Sequence, residues 1–154
     1  MSGIDKHWHL LIIHGPNLNL LGTREPEIYG SMTLLELDRY IQKEISAMEL
    51  EARFFQSNHE GALIDFIHEN RQWAHGIVIN PGALTHYSYA LHDALKGVAL
   101  PAVEVHLSDI QSREDFRKIS VTAPACVSQI AGLGKNSYIE GIRYLVKYLA
   151  DRES

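Results

Sequence analysis

Short apolar runs alternate along the chain with longer segments in which apolar positions recur every three or four residues. "HLLIIHG" (9–15), "LEARFFQS" (50–57), "GIVINPG" (76–82), "PAVEVHLS" (101–108) and "ACVSQIA" (125–131) are too short for helices and rich in β-formers, so they read as strands. Between them, Leu34, Leu37, Ile41, Ile45 and Met48 form one helical stripe behind Thr33, with Glu36 in the capping-box position. Ser57 and Glu60 have the same spacing before a helix carrying Leu63, Phe66 and Ile67. A helix from Thr85 to Lys96 is expected to stop at Gly97, and a last one from Asn136 to Leu149 presents Tyr138, Ile142, Leu145 and Leu149.

Five strand–helix units in succession, without repeat or low-complexity segment, predict an α/β protein. Continuous apolar strands are buried on both faces, and right-handed crossovers put helices on each side of a parallel sheet. The expected architecture is a flavodoxin-like, doubly wound five-stranded parallel sheet of order 2-1-3-4-5, a three-layer α/β/α sandwich forming one domain over residues 1–154. Such sheets bind ligands beyond the carboxyl ends of the strands where the order reverses, here between strands 1 and 3.

Composition narrows the chemistry. A formal charge of -5 and a pI near 6.0 argue against a nucleic-acid partner, which needs a basic face. The lone Cys126 permits no internal disulfide, reads as structural and fits a reducing compartment. With no apolar run of ~20 residues and a polar start, "MSGIDKHWH", no membrane span or signal peptide is expected, and the cytoplasm is the consistent location. G-x-G-x-x-G, the P-loop and H-E-x-x-H are all missing, as is the acidic cluster of a phosphoacceptor module. His7, His9, His59, His68, His75 and His92 lack ligand spacing, so no metal is expected.

What stands at the proposed strand ends is a set able to move protons. Strand 1 runs into "GPNLNLLGTREPEIYG" (15–30), too long for an ordinary connection and bearing Asn17, Arg24 and Tyr29. Strand 3 is followed by Asn80 and His86, and strand 4 by Glu104, His106, Leu107 and Ser108, then Arg113 and Arg117. This set suits proton abstraction beside a carbonyl. A phenol titrates near ~10, and a neighbouring cation lowers that by ~1–3 units, so Arg24 or Arg113 would activate Tyr29 as a general base. His106, held by Glu104 two residues earlier on the same face, would protonate a leaving hydroxyl, and Asn17 would stabilise an enolate oxygen. The Leu107 and Ser108 amides with Asn80 make a pocket for a carboxylate, and Arg117, one helical turn beyond Arg113, faces the same place. Taken singly, each residue has a plainer reading: Tyr29 as a surface tyrosine, His106 as a core histidine, Asn80 as a turn residue bonding its own backbone, Arg113 and Arg117 as a solvated helix face. Tyr87 and Tyr89 read as packing groups.

The full pattern resembles the type II dehydroquinases, through "LLIIHGPNLNLLGTREPEIYG", "INPGALTHYSYALHDAL", "PAVEVHLSDIQSREDFRKIS" and "IAGLGKNSYIEGIRYL", in the family's order and spacing. The resemblance implies a metal-free, cofactor-free 3-dehydroquinate dehydratase that eliminates water in the anti sense through an enolate. It also implies a homo-oligomer, a dodecamer built as a tetramer of trimers. Matched by position, Tyr29 is the base, His106 the proton donor, Arg24 the transition-state stabiliser and Asn17 the enolate support. Asn80, His86, Leu107, Ser108 and Arg117 fall on substrate-binding positions, with Arg113 in the same segment, and Asp93 matches an acid reaching the neighbouring site across a trimer interface. The chain departs from the family where strand 1 ends in "HGPN", with His14 in place of the commoner asparagine.

Overall fold

The computed structural model describes residues 7–23 and 25–153, the side chain of Tyr29 excepted. Five strands, β1 (His9–His14), β2 (Glu51–Gln56), β3 (Gly76–Asn80), β4 (Ala102–His106) and β5 (Ser128–Ala131), form one sheet of order β2-β1-β3-β4-β5. Every neighbouring pair is parallel, so this is the flavodoxin-like, doubly wound sheet that the apolar runs predict. Alternation within β1 divides the core. Leu10 and Ile12 face the layer of α2 (Leu34–Ala47) and α5 (Asn136–Glu153), packing with Leu37, Ile41, Tyr138 and Ile142. Leu11 and Ile13 face α3 (Glu60–Glu69) and α4 (Tyr89–Gly97), against Leu63, Ile67, Leu91 and Leu95. Among the described residues no helix is long and apolar enough to cross a membrane.

Helix starts follow the local code only in part. Thr33 and Glu36 close the expected capping box on α2. Ser57 and Glu60 do not: the Ser57 hydroxyl accepts from the His59 amide at 2.9 Å, while the Glu60 carboxylate accepts from the Ser88 hydroxyl on the next helix. The helix expected from Thr85 begins at Tyr89, because Ser88 caps it by accepting from Leu91 N–H, and residues 82–86 form a separate 3₁₀ turn. Arg113 and Arg117 likewise do not share a helix. They belong to two successive 3₁₀ turns, Ile110–Ser112 and Asp115–Arg117, with Arg113 closing the first.

The connection after β1 leaves the sheet at a tight junction. Gly15 N–H donates to the Asn80 carbonyl at 2.7 Å, extending the β1–β3 ladder by one rung. A Cβ at Gly15 would stand 2.3 Å from the Pro81 carbonyl oxygen, so only glycine fits there. The segment beyond is not structureless: Leu18–Leu20 make a 3₁₀ turn and Pro26–Tyr29 one turn of helix, α1, between Gly22 and Gly30, both at positive φ.

Candidate active site

At the carboxyl ends of β1, β3 and β4 a cleft gathers Asn17, Asn80, His86, His106, Leu107, Ser108, Arg113 and Arg117. Residues as far apart in sequence as Asn17 and Arg117 thus meet at the reversal of strand order, as the topology requires. A larger cavity of about 1030 Å³ adjoins it and shares Leu21, Leu107, Ser108 and Arg113. Glu27, Ile28, Gly30, Ser31 and Met32 also line it. Arg24 and the Tyr29 side chain lie outside the described residues. Asp93 stands on the exposed face of α4 and lines neither cavity.

Each cleft residue is held by its local fold. Asn17 sits in the left-handed region at φ 71°, a conformation that asparagine tolerates better than most residues, and its N–H donates to the Asn58 side chain at 2.9 Å. Asn80 is buried, and its side-chain oxygen accepts from Gly82 N–H at 3.1 Å, so the turn reading and the cleft reading hold together. His86 Nδ1 donates to the Ile119 carbonyl at 2.7 Å, which fixes the tautomer and leaves Nε2 as the other ring nitrogen. Ser108 Oγ accepts from Arg113 at 3.4 Å, and Arg117 Nε donates to Glu114 at 2.7 Å.

The strongest electrostatic feature is Glu104, a fully buried carboxylate in the middle of β4. His106 Nε2 donates to it at 2.9 Å, Thr85 Oγ1 at 2.9 Å, Ser120 Oγ at 2.8 Å and Gln129 Nε2 at 2.7 Å, with Thr122 Oγ1 on the second oxygen. Burial by itself would raise the Glu104 pKa. The hydrogen bond and charge of His106, with the bonds from Thr122 and Gln129, outweigh it and hold the group at about 2. The carboxylate is therefore ionised at any working pH. It engages His106 through Nε2 and leaves Nδ1 as the nitrogen free of that bond.

Sequence reasoning paired Glu104 with His106 and missed the rest of this clamp. The signal was there: a glutamate in a strand buried on both faces demands donors, and "SVT" at 120–122 supplies two of them. It also passed over a second buried network. His14 bonds the Tyr138 hydroxyl through Nδ1 at 2.8 Å and Asp38 through Nε2 at 2.7 Å. Burial pushes the Tyr138 phenol far up, opposed by its hydrogen bond with Asn80 and reinforced by the charge of Asp38, so this tyrosine keeps its proton and is no base. Tyr87 and Tyr89 are not packing groups within the chain: they are 63% and 70% exposed, because the helix starts later than the pattern suggests. Cys126 is half-buried, with its thiol pushed up to about 12 by burial and by the charge of Glu104, which suits a structural role.

Comparison with known proteins identifies the family. Residues 8–146 match the family model described as dehydroquinase class II. The chain is 54% identical over 138 residues to a 3-dehydroquinate dehydratase of Halothermothrix orenii, covering 90% of this chain and 93% of that one. To the 3-dehydroquinate dehydratase of Bacillus subtilis it is 51% identical over 138 residues, covering 90% and 93%. A type II dehydroquinase crystal structure from Butyrivibrio crossotus superposes with a TM-score of 0.90 at 48% identity, over 91% of this chain and 98% of that one. With a family match along nearly its whole length and the same fold in a solved structure, the chain belongs to the class II dehydroquinases.

Proposed function

We propose that the protein is a 3-dehydroquinate dehydratase, a hydro-lyase that removes water from 3-dehydroquinate in the anti sense to give 3-dehydroshikimate. The observation that carries the reading is the meeting in one cleft of Asn17, Asn80, His86, His106, Ser108 and Arg117, with His106 held by an ionised, buried Glu104. Asn80, the Leu107 and Ser108 amides and Arg117 bind the substrate's carboxylate and hydroxyls. Tyr29, its phenol acidified by Arg24, takes the proton from the carbon next to the ketone, and the C–H electron pair forms the enolate supported by Asn17. The enolate then expels the hydroxyl on the neighbouring carbon, which leaves as water with a proton from His106 as the conjugated double bond forms. No metal or cofactor takes part.

The loop 15–30 brings Arg24 and Tyr29 over the ring, hinging at Gly22 and Gly30, and closure dries the site and strengthens the Arg24–phenolate attraction. In this reading residues 1–154 form one catalytic domain in the cytoplasm, serving aromatic amino acid biosynthesis or quinate catabolism. The chain assembles into trimers and then a dodecamer. The exposure of Asp93, Tyr87 and Tyr89 along α4 and its leading turn supports assembly, with Asp93 serving a neighbouring site. The test is to add the purified protein to 3-dehydroquinate and follow the ultraviolet absorbance of the conjugated enone. A steady, enzyme-dependent rise is expected, and a flat trace would end the proposal.

A further inference from the structure

Two side-chain amides at the end of β2, Gln56 and Asn58, reach across to the start of the long segment after β1. Gln56 is the last residue of β2, in register with His14, and its Nε2 donates to the Gly15 carbonyl and to Asn58 Oδ1, both at 3.2 Å. Asn58 Oδ1 also accepts from Asn17 N–H at 2.9 Å. The link that carries Asn58 is itself tied to the sheet, because Ser57 N–H donates to the His14 carbonyl at 3.1 Å and extends the β1–β2 ladder by one rung.

Main-chain groups decide which way both amides point. A backbone N–H only donates, so the Asn58 atom facing Asn17 is its oxygen; a backbone carbonyl only accepts, so the Gln56 atom facing Gly15 is its nitrogen. The remaining contact, from the Gln56 nitrogen to the Asn58 oxygen, then pairs a donor with an acceptor. What the two amides hold is an uncommon backbone. Asn17 lies in the left-handed region at φ 71° and ψ -4°, a conformation that its neighbours must maintain. Its N–H is taken by Asn58 and its carbonyl accepts from Leu20 N–H at 3.0 Å, so the peptide on each side of its Cα is pinned and the direction of its Cβ is set.

We infer that Asn58, steadied by Gln56, is a positioning residue that fixes the left-handed backbone of Asn17 and so aims the side-chain amide of Asn17 at the cleft that it lines. This rests on Asn17 supporting the enolate. That support is needed only once negative charge has developed on the oxygen, so a misdirected amide costs turnover and leaves substrate binding alone. Asn58 is exposed and belongs to neither core cluster, which separates this role from a share in holding the fold together.

Asn58→Ala removes the acceptor and leaves the Asn17 side chain intact. Its kcat on 3-dehydroquinate should fall by about three- to tenfold, the rate equivalent of one neutral hydrogen bond, with KM within about twofold of wild type. A cycle with Asn17→Ala reads the coupling. If Asn58 acts through the Asn17 amide, the double variant should turn over no more slowly than Asn17→Ala alone. Additive losses, or an unchanged kcat in Asn58→Ala, would overturn the inference. Hydrogen exchange followed by mass spectrometry needs no turnover. Peptides spanning residues 16–23 should exchange faster in Asn58→Ala than in wild type, and identical exchange would refute the hold on this backbone. A protein inactive on 3-dehydroquinate would sink the functional reading, while the exchange comparison would still decide whether Asn58 fixes Asn17.

Discussion

Replacing Glu104 with glutamine isolates the charge at the heart of the site. The variant is nearly isosteric. Its amide oxygen can take the place where His106, Thr85, Ser120 and Gln129 converge, and its nitrogen can face Thr122, whose hydroxyl can turn to accept. What disappears is the negative charge, whose worth follows from its titration. The folded pKa of about 2 lies below the ordinary 4.5, so the ionised group stabilises the fold at pH values above 4.5. That contribution is lost as pH falls through about 2. The interval corresponds to about 3 kcal/mol at neutral pH, and somewhat under half of it is gone by pH ~3.5. Denaturant titrations of wild type and Glu104→Gln should therefore differ by about 3 kcal/mol at pH 7, a Tm gap of about 6–12 °C, and converge as the medium is acidified. Carboxylates common to both proteins cancel in the difference. Turnover should also fall, because His106 exchanges a charged hydrogen-bond acceptor for a weaker, neutral one. A stability gap that stays constant from pH 7 to pH 3.5 would refute the assignment of an ionised, charge-stabilised Glu104.

Other outcomes follow from the proposed mechanism and from the packing. Tyr29→Phe should lose most of kcat with little change in KM, whereas Arg117→Ala should chiefly raise KM; steady-state kinetics on 3-dehydroquinate would distinguish the two roles. Gly15→Ala must push the Pro81 carbonyl aside, and thermal melts should show a loss of about 1–3 kcal/mol, the ordinary cost of overpacking. Cys126 has its thiol pushed up to about 12, so native protein should resist alkylation by iodoacetamide at pH 8 while unfolded protein reacts readily, as mass spectrometry would show.

Much of this was legible in the chain because strands buried on both faces announce themselves. "LLII" and "GIVIN" have no polar position to spare, and a run of such strands separated by helices has few topologies open to it. The strand order then turns scattered residues such as Asn17, Asn80 and His106 into neighbours. Where the reading failed, a local signal was decided by distant parts of the fold. Glu60 has the spacing of a capping box, yet its carboxylate goes to Ser88, a residue of another helix start. Thr85 looks like a helix cap, but its hydroxyl is directed to Glu104 across the sheet end. Gln129 joins that carboxylate only because β5 pairs beside β4 with Glu104 and Gln129 in register, a fact no single segment contains. His14 stood out as a departure from the family pattern, but its partners Asp38 and Tyr138 come from two different helices and could not be read from its neighbours in the chain.

The rung between Gly15 N–H and the Asn80 carbonyl has a mechanical consequence. The long segment after β1 is moored to the backbone of the same residue whose side chain floors the cleft, so its root cannot drift without dragging that floor along. Movement in the rest of that segment therefore has to begin beyond Gly15, and the Asn80 end of the cleft stays tied to the sheet.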